Sequence, residues 1–479
     1  MAVPLSLPGK AGAAVDRTRP VLPGSALSLE VHSWASNSLQ LKSGAGGVDR
    51  PDGGPTAAVD RLQSATEPVS KPNNDSARGL MMRFDYFITG PRMGLRAPIA
   101  LERAGLLESL HLDAWVGPGG VARLARARIW GKWGQRVTGR VISQIPARKI
   151  HAHPQIFVLS RTRRRFISAG RDTAILDRLL FRAFTAIARG CKSAAVFGLN
   201  GSSLELFRDR DCRIMEQCSP PSPAERRIAR DEMRRFGSWA PEDRTPDQRW
   251  RDLRMRREWE AADVIWAPSA HVVELCREYG ANPAKLHLLR YPIPQYAEFR
   301  WRNRRRDGSA LRVVFAGTVM LDKGVQYIYE ALQQSKIANH VDMHFFGRIQ
   351  LSREGVARLS DVGTVHGPVA RATLLREFTQ ADVLLFPSLS EGSALVTAEA
   401  AGVGLPMIAT RESGPPDSAM IVEARSGAAI RAALERVLDD PSLLGSMSQA
   451  CLAEARRRNV EAFNAELASL TREALATCL

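Results

Sequence analysis

The chain has 479 residues, more than one ordinary hydrophobic core accommodates, so two or three domains are expected. Hydrophobic residues make up 44% and charged residues 24%, a balance typical of a globular protein, and no apolar run is long enough to cross a bilayer. The net charge of +17 indicates attraction to an anionic partner. The six cysteines show no metal-ligand spacing and the sequence shows no secretory signal pattern, which favours reduced thiols in the cytoplasm.

The first 81 residues are rich in Gly, Pro, Ala, Ser and Asp and show no sustained periodicity, so we predict a disordered segment over 1–81. A strand is predicted over 84–89, then a glycine loop, then an apolar helical pattern through Leu110. This order opens a parallel α/β unit. Gly90, Arg92 and Gly94 in the loop are candidates for an acceptor or phosphate contact, although a plain turn explains the glycines more simply.

A long basic span follows. Between Asp113 and Asp172 there are thirteen Lys or Arg residues and no acid, with aromatic residues interleaved. Solvated surfaces normally mix both signs, so an anionic partner explains the span at least as well as solubility does. If basic and aromatic side chains share one face, residues 123–171 fit an anionic membrane surface. We therefore expect a cytoplasmic protein, with peripheral attachment to the inner face of the plasma membrane as the alternative, and no nucleic-acid partner.

Strand and helix patterns then alternate in two sets. The first set has further strands over 194–198, 213–216, 262–267 and 286–289. The second set has strands over 311–316, 341–346, 365–366, 383–386, 407–410 and 419–422. Pro292 and Pro294, followed by a basic run over 300–306, predict an interdomain linker, placed over 297–306. The economical architecture is two doubly wound domains, 82–296 and 307–455, that face each other across a cleft, with a terminal helical segment, 456–479, packing back across the hinge.

Two glutamates stand eight positions apart in the second set. Glu391 lies in the loop after the strand over 383–386, and Glu399 lies on the helix that follows. In open α/β sheets this loop binds ligands, because the helix start presents free backbone N–H groups. Gly392 lets the backbone approach a ligand closely, and Ser393 can cap the helix. Two glutamates eight positions apart are by themselves usually exposed surface residues. The Pro-Ser, Gly-Ser and Gly-Leu-Pro segments around them favour a binding site.

This region resembles a known family. PSLSEGSALVTAEAAGVGLPMIAT resembles the donor-site signature of retaining glycosyltransferases with the two-Rossmann-domain (GT-B) fold, specifically the family 4 group. VVFAGTVMLDKGVQYIYEAL is similar to the opening unit of that family's donor domain, and ADVIWAPSAHVVELCREYGA to the last unit of its acceptor domain. The resemblance spans the chain from about Phe84 and is strong over 262–410. It implies an α/β fold of two facing Rossmann-like domains.

The resemblance also implies roles for individual residues. Glu391 would face the donor sugar, and Lys323 would meet the diphosphate and neutralise charge on the leaving group, which makes these two the catalytic candidates. Glu399 would accept hydrogen bonds from the ribose hydroxyls. The nucleobase would meet main chain near Val369. Backbone that binds sugar and phosphate would come from Gly392, Ser393, Ala394 and Leu395.

The sequence departs from the family pattern in three places. Thr318 follows Gly317 where the family often has an arginine, so Arg348 or Arg92 would have to supply the second cation. Gly-Ser-Ala replaces the common Gly-Phe-Gly after the first glutamate. The strand that often ends in a histidine ends here in Glu216, Gln217 and Cys218.

The resemblance predicts a retaining transferase of polysaccharide biosynthesis, which moves a hexose from a nucleoside-diphosphate sugar to a glycan or lipid-linked acceptor. No cofactor or metal is expected, since Lys323 can supply charge and the one Asp-x-Asp, 209–211, precedes a strand. Two alternatives stay open: a sugar-nucleotide epimerase or phosphorylase of the same architecture, and a catalytically silent scaffold that binds membrane or nucleic acid through the basic span.

Overall fold

Two parallel sheets organise the molecule. The computed structural model describes residues 82–89, 95–115, 142–168, 173–240, 250–303 and 309–478, all within one compact unit, 49–479. The first sheet has the strand order β3-β2-β1-β4-β5-β6-β7. Its strands are Phe84–Ile88 (β1), Leu107–Leu112 (β2), Ile150–Ala152 (β3), Ala195–Leu199 (β4), Cys212–Glu216 (β5), Val264–Ala267 (β6) and Leu286–Leu288 (β7).

The second sheet has the strand order β10-β9-β8-β11-β12-β13. Its strands are Leu311–Ala316 (β8), Val341–Phe346 (β9), Thr364–Gly367 (β10), Val383–Phe386 (β11), Met407–Thr410 (β12) and Met420–Val422 (β13). The described strand pairs of both sheets run parallel. The strand order reverses between β1 and β4 and again between β8 and β11, as in doubly wound folds. The predicted fold class is therefore confirmed.

Helices cover the sheets. In the first half they are Arg96–Arg103 (α1), Pro154–Ser168 (α2), Ala174–Gly190 (α3), Ser222–Arg235 (α4), Trp250–Ala261 (α5) and Ala270–Glu278 (α6). In the second half they are Val325–Leu332 (α7), Arg353–Ser360 (α8), Arg371–Gln380 (α9), Leu395–Val403 (α10), Gly427–Asp439 (α11), Ser442–Arg457 (α12) and Val460–Cys478 (α13). Every residue of β1, β4, β11 and β12 is buried, because helices lie on both faces of each sheet.

The apolar pattern through Leu110 was assigned wrongly to one helix. Helix α1 ends at Arg103, and Gly105 follows with a φ of 72°. Glycine adopts this left-handed conformation without strain, which stops the helix, and the leucines that follow form strand β2. Within the basic span, β3 and α2 are elements that the sequence patterns had not indicated. The predicted disordered segment 1–81, the loop 90–94 and parts of the basic span, 116–141 and 169–172, lie outside the described residues.

Helix α4 of the first half is built into the core of the second half. Its residue Ile228 and the nearby Trp239 belong to the hydrophobic cluster around the second sheet. Glu232 on the same helix has no solvent exposure, and its carboxylate accepts hydrogen bonds from Gln326 Nε2 at 2.8 Å and from Tyr327 Oη and Arg425 Nε at 2.7 Å each. The two halves are therefore joined by both an apolar and a charged contact. The domain boundaries given above stay a prediction.

A buried polar row crosses the first sheet beneath α2 and α3. Ser109 donates a hydrogen bond to Asp85, and the His111 ring lies 2.8 Å from Ser109 Oγ and 3.0 Å from the Nε2 atom of His153. Burial lowers the pKa of His111 to about 4, because the charged imidazolium loses its hydration there. The folded protein therefore holds this histidine neutral over a pH range in which the unfolded chain protonates it.

We predict that His111 makes the fold sensitive to mild acid. Its folded-state pKa lies below the ordinary value of 6.5, so its contribution is fully present above pH 6.5 and is lost as the pH falls toward 4. Between pH 7.5 and 5.0 the free energy of unfolding should fall by about 1 to 2 kcal/mol more in the native chain than in His111→Gln. Urea denaturation across this range measures the slopes, with the exposed His340→Gln as the matched control. Equal slopes in the native chain and His111→Gln would contradict the assignment.

Candidate functional site

A cleft of about 530 Å³ lies where the carboxyl ends of the two sheets face each other. Ile88 and Leu199, at the ends of β1 and β4, form part of one wall, and Gly317 and Glu391, beyond the ends of β8 and β11, form part of the other. Both strand pairs flank the point where the strand order reverses, which is where open α/β sheets bind ligands. The volume lies in the range of pockets for small molecules, about 300 to 1,000 Å³.

The structure brings most of the predicted donor residues to this cleft. The residues that line it include Gly317, Thr318, Lys323, Glu391, Gly392, Ser393, Ala394 and Leu395. Arg348, Val369 and Glu399 are not part of this described lining, and Arg348 is exposed at the end of β9. Gly90, Arg92 and Gly94 lie outside the described residues. Proximity places the first group at one site, and their roles stay a prediction.

Lys323 and Glu391 form an ion pair on the cleft wall. The Nζ atom of Lys323 lies 2.5 Å from Oε1 of Glu391, and both side chains are mostly buried. Gly324 brings the two loops together, since its φ is 72° and a Cβ there would lie 2.0 Å from the carbonyl oxygen of Pro387. The wall thus presents a cation beside a carboxylate. The Lys323 ammonium can bind a phosphate group, and the Glu391 carboxylate can accept hydrogen bonds from hydroxyl groups.

The segment around Gly392 touches the opposite half of the molecule. A Cβ at Gly392 would lie 2.0 Å from the carbonyl oxygen of Cys218, so a side chain there would not fit. The Gly392 carbonyl accepts a hydrogen bond from Ser269 Oγ at 2.6 Å. Ser393 does not cap the next helix, because α10 begins only at Leu395 and the Ser393 hydroxyl donates instead to the Gly414 carbonyl, 3.2 Å away.

The start of α10 opens on the cleft. Leu395 and Val396, its first residues, are among those that line it. Ala394 precedes the helix and provides no side-chain cap. Backbone N–H groups in a helix's first turn have no partner within the helix and carry partial positive charge, which suits an anion.

Glu399 is held by a residue that the sequence did not single out. Its Oε1 atom accepts a hydrogen bond from Arg371 Nε at 2.8 Å, and Arg371 Nη2 donates to the hydroxyl of Tyr296 at 2.5 Å. Arg371 is the first residue of α9, two positions after Val369. A cation at a helix start is unfavourable with respect to the helix dipole, and this signal could have identified Arg371.

Arg96 is a second residue that the sequence missed. It is the first residue of α1, lines the cleft from the half opposite Lys323, and donates from Nη1 to the Pro292 carbonyl at 3.3 Å. Burial lowers the pKa of Arg96 to about 10, which leaves it charged at neutral pH. Arg96 thus places a positive charge in the cleft. The neutral Thr318, at the position where the resembled family often has an arginine, supplies none.

Two carboxylates occupy the wall contributed by the first half. Glu216, at the end of β5, accepts hydrogen bonds from the hydroxyls of Tyr291 and Tyr86. Burial, and then the charge of Glu216, raise the pKa of Tyr291, so this tyrosine stays protonated as a donor. Glu225 on α4 reaches solvent within the cleft. Its surroundings raise the pKa of Glu225 by desolvation, opposed by the charge of Lys323.

Part of the chain is similar in sequence to known proteins. Residues 310–440 match the family model described as glycosyl transferases group 1. D-inositol 3-phosphate glycosyltransferase of Pseudarthrobacter chlorophenolicus is 27% identical over 218 residues, which cover 41% of this chain and 52% of that protein. MMP alpha-(1->4)-mannosyltransferase of Mycolicibacterium hassiacum is 24% identical over 218 residues, covering 42% of this chain and 50% of that one. The chain spans about half the length of the curated relatives it matches.

Solved structures share the fold. Sucrose-phosphate synthase of Thermosynechococcus elongatus superposes with a TM-score of 0.54 at 15% identity, covering 82% of this chain and 100% of that one. Anabaena HepE in complex with UDP and glucose superposes with a TM-score of 0.52 at 11% identity, with the same two coverages of 82% and 100%. At such identities the likeness shows the fold alone. The chain has a GT-B fold, and its residues 310–440 match the model of the glycosyl transferases group 1 domain.

Proposed function

We propose that the chain is a retaining glycosyltransferase of the family 4 type, which transfers a hexose from a nucleoside-diphosphate sugar to an acceptor hydroxyl. The observation that carries the proposal is the Lys323–Glu391 pair beside the start of α10, at the strand-order reversal of a group 1 domain. Cation, carboxylate and helix start together offer partners for a diphosphate and for a sugar. The Anabaena protein solved with UDP and glucose shares the fold, which supports a nucleotide-sugar donor.

The donor would lie along the wall of the second half. The diphosphate would meet the N–H groups at the start of α10 and the Lys323 ammonium, with Arg96 as the second cation in place of the arginine missing at position 318. The ribose diol would bind Glu399, and the base would meet main chain near Val369. Arg371 would orient the Glu399 carboxylate through the hydrogen bond that joins them.

In the transfer step, the bond between the anomeric carbon and the donor phosphate oxygen breaks while the acceptor oxygen approaches the same face of the sugar. The leaving phosphate takes the proton of that acceptor hydroxyl, so no protein base is needed. Lys323, Arg96 and the helix start stabilise the charge that develops on the leaving diphosphate. Glu391 would orient the sugar by accepting hydrogen bonds from its hydroxyls. We propose that this chemistry proceeds without a metal or another cofactor.

The acceptor would bind against the wall of the first half. Glu216 places a carboxylate there that repels an anionic group, and both Glu216 and Glu225, whose pKa is raised, can accept hydrogen bonds from hydroxyls. We therefore propose an acceptor that presents neutral sugar hydroxyls in the cleft, either a free glycan or the sugar end of a lipid-linked one. This would distinguish the chain from relatives named for a phosphorylated acceptor, inositol 3-phosphate.

A separate observation supports attachment to a membrane surface. Helices α2 and α3 expose the apolar side chains Val158 (60%), Ile175 (74%) and Leu179 (40%). Exposed arginines stand at helical spacing from them, at 161 and 165 on α2 and at 178 and 182 on α3. Basic and apolar groups that share a helix face are typical of binding to anionic lipid. Within the described ranges, none of the helices has the length and hydropathy to cross a bilayer.

We predict that Glu399→Ala weakens binding of the cognate nucleoside diphosphate by about tenfold or more, because a half-buried carboxylate no longer accepts the ribose hydroxyls. Isothermal titration calorimetry with UDP, GDP and ADP measures the change, and Glu423→Ala, an exposed carboxylate of the same half, is the matched control. Lys323→Ala should lower kcat by about 10² to 10³. A native chain that binds none of the three diphosphates would refute the proposed function.

We predict that Arg96, not Arg348, is the second cation for the diphosphate. Arg96→Gln should weaken binding of the nucleoside diphosphate by about tenfold while leaving the nucleoside monophosphate nearly unaffected, since only the diphosphate reaches both cations. Arg348→Gln, which removes an exposed charge beyond the cleft lining, should change neither affinity. The reverse pattern, with loss on Arg348→Gln alone, would assign the role to Arg348.

We predict that the chain floats with vesicles that contain anionic phosphatidylglycerol and not with neutral phosphatidylcholine vesicles. The double variant Arg178→Glu/Arg182→Glu should lose most of this binding, because each basic residue near anionic lipid contributes about 1 kcal/mol. Arg353→Glu, an exposed arginine on the second half, is the matched control. Equal flotation with neutral and anionic vesicles would remove the membrane proposal.

A further inference from the structure

Two cysteines meet where the last helix docks on the first sheet. The Sγ atoms of Cys212, the first residue of β5, and Cys478, the last residue of α13, are 2.8 Å apart. Both are free thiols. Since bonded sulfurs stand about 2.05 Å apart, closure needs a movement of less than about 1 Å. The fold has thus brought together two thiols that are far apart in the sequence.

The two thiols differ in access. Cys212 has no solvent exposure, whereas Cys478 is half-buried at the end of its helix. The hydrogen bond with Cys212, and to a lesser degree the Arg213 guanidinium, lower the pKa of Cys478, against the opposing effects of burial and of Asp263. The same hydrogen bond, and then burial, raise the pKa of Cys212. Cys478 is therefore the reachable thiol that ionises more readily, and Cys212 is its buried partner.

The remaining thiols are placed differently. Those with hydrogen bonds in the described structure have oxygen or nitrogen partners: Asn200 for Cys218, His111 for Cys191 and the Leu405 carbonyl for Cys451. The hydrogen bonds described for the other cysteines are not to sulfur, so the close approach of two sulfurs is particular to Cys212 and Cys478.

We propose that Cys212 and Cys478 form a reversible disulfide by exchange with a low-molecular-weight disulfide such as oxidised glutathione. The Cys478 thiolate attacks one sulfur of the small disulfide, the bond between its sulfurs breaks, and one glutathione thiolate leaves. The Cys212 thiol loses its proton to solvent, attacks Cys478 Sγ and releases the second glutathione. Two protein thiols are oxidised while one glutathione disulfide is reduced to two thiols, so electrons and protons balance.

The bond would secure helix α13 to the first sheet. This helix follows α12 of the second half, packs on α1, and contributes Phe463 to the cleft lining. Cys478 lies about 22 Å farther along the same helix, at 1.5 Å per residue. A cross-link between residues 212 and 478 closes a long loop of the unfolded chain and therefore stabilises the folded one. Oxidation would thereby fix a helix that forms part of the cleft wall.

Mass spectrometry of the full chain tests this directly. After incubation with oxidised glutathione and alkylation of free thiols, trypsin should release residues 211–213 joined to residues 473–479, and reduction should separate them. The linked peptides should be present in the native chain and in Cys218→Ser, a control thiol that is also half-buried, and absent from Cys478→Ser. Glutathione retained on Cys478 without closure, no oxidation of either residue, or a cross-link between other cysteines would overturn the proposal.

Thermal unfolding supplies a second readout. The oxidised native chain should unfold at a midpoint about 5 °C above the reduced chain. Cys478→Ser should show no difference between oxidising and reducing conditions. Because this residue lies at a half-exposed helix end, the variant remains informative where the buried Cys212→Ser fails to fold. A linked chain whose midpoint does not rise would contradict the anchoring role.

Discussion

The buried carboxylate of Glu232 is the contact on which the arrangement of the two halves depends. Transfer of a charge from water into a protein interior is costly unless hydrogen bonds replace its hydration. Glu232 has no exposure and receives donors from Gln326, Tyr327 and Arg425, all in the second half. Removing α4 from this position would leave a buried charge without partners, so the helix is fixed to the second sheet. Glu225, seven residues earlier on the same helix, is thereby held in the cleft.

The charge of the cleft contrasts with that of the chain. The chain carries a net charge of +17, yet the described cleft lining has two cations, Arg96 and Lys323, and three carboxylates, Glu216, Glu225 and Glu391. Recognition of a phosphate group there would depend on the position of each donor and not on a general positive potential. Helices α2 and α3 carry seven arginines and one acid, and none of these residues is among those that line the cleft. This separation fits a molecule with one anionic partner at the surface and another in the cleft.

The sequence predicted the second half better than the first. Strands β8, β9, β11 and β12 begin and end where predicted, because they are continuous apolar runs bounded by polar loops. The run that includes Leu107 and Leu110 was assigned wrongly, since a short apolar segment suits a buried strand as well as a helix.

Pairings across the chain could not be predicted. The contact of Arg371 with Glu399 spans 28 positions, and that of Cys212 with Cys478 spans 266. Both depend on strand order and helix docking, which local patterns do not contain. Arg96 was missed for the same reason, since its position in the cleft depends on how the second half faces α1.

The backbone contact at Gly392 sets a lower limit to the width of the cleft. No side chain separates Gly392 from the Cys218 carbonyl, so the contact is between two backbone segments. A change of side-chain rotamer cannot relieve it. Such a contact acts as a mechanical stop: the halves can separate from it, but they cannot approach further. The space left for a ligand next to this contact is therefore fixed by the backbone. The size of the ligand that the cleft accepts would then be limited by glycine at this position as well as by the polar groups around it.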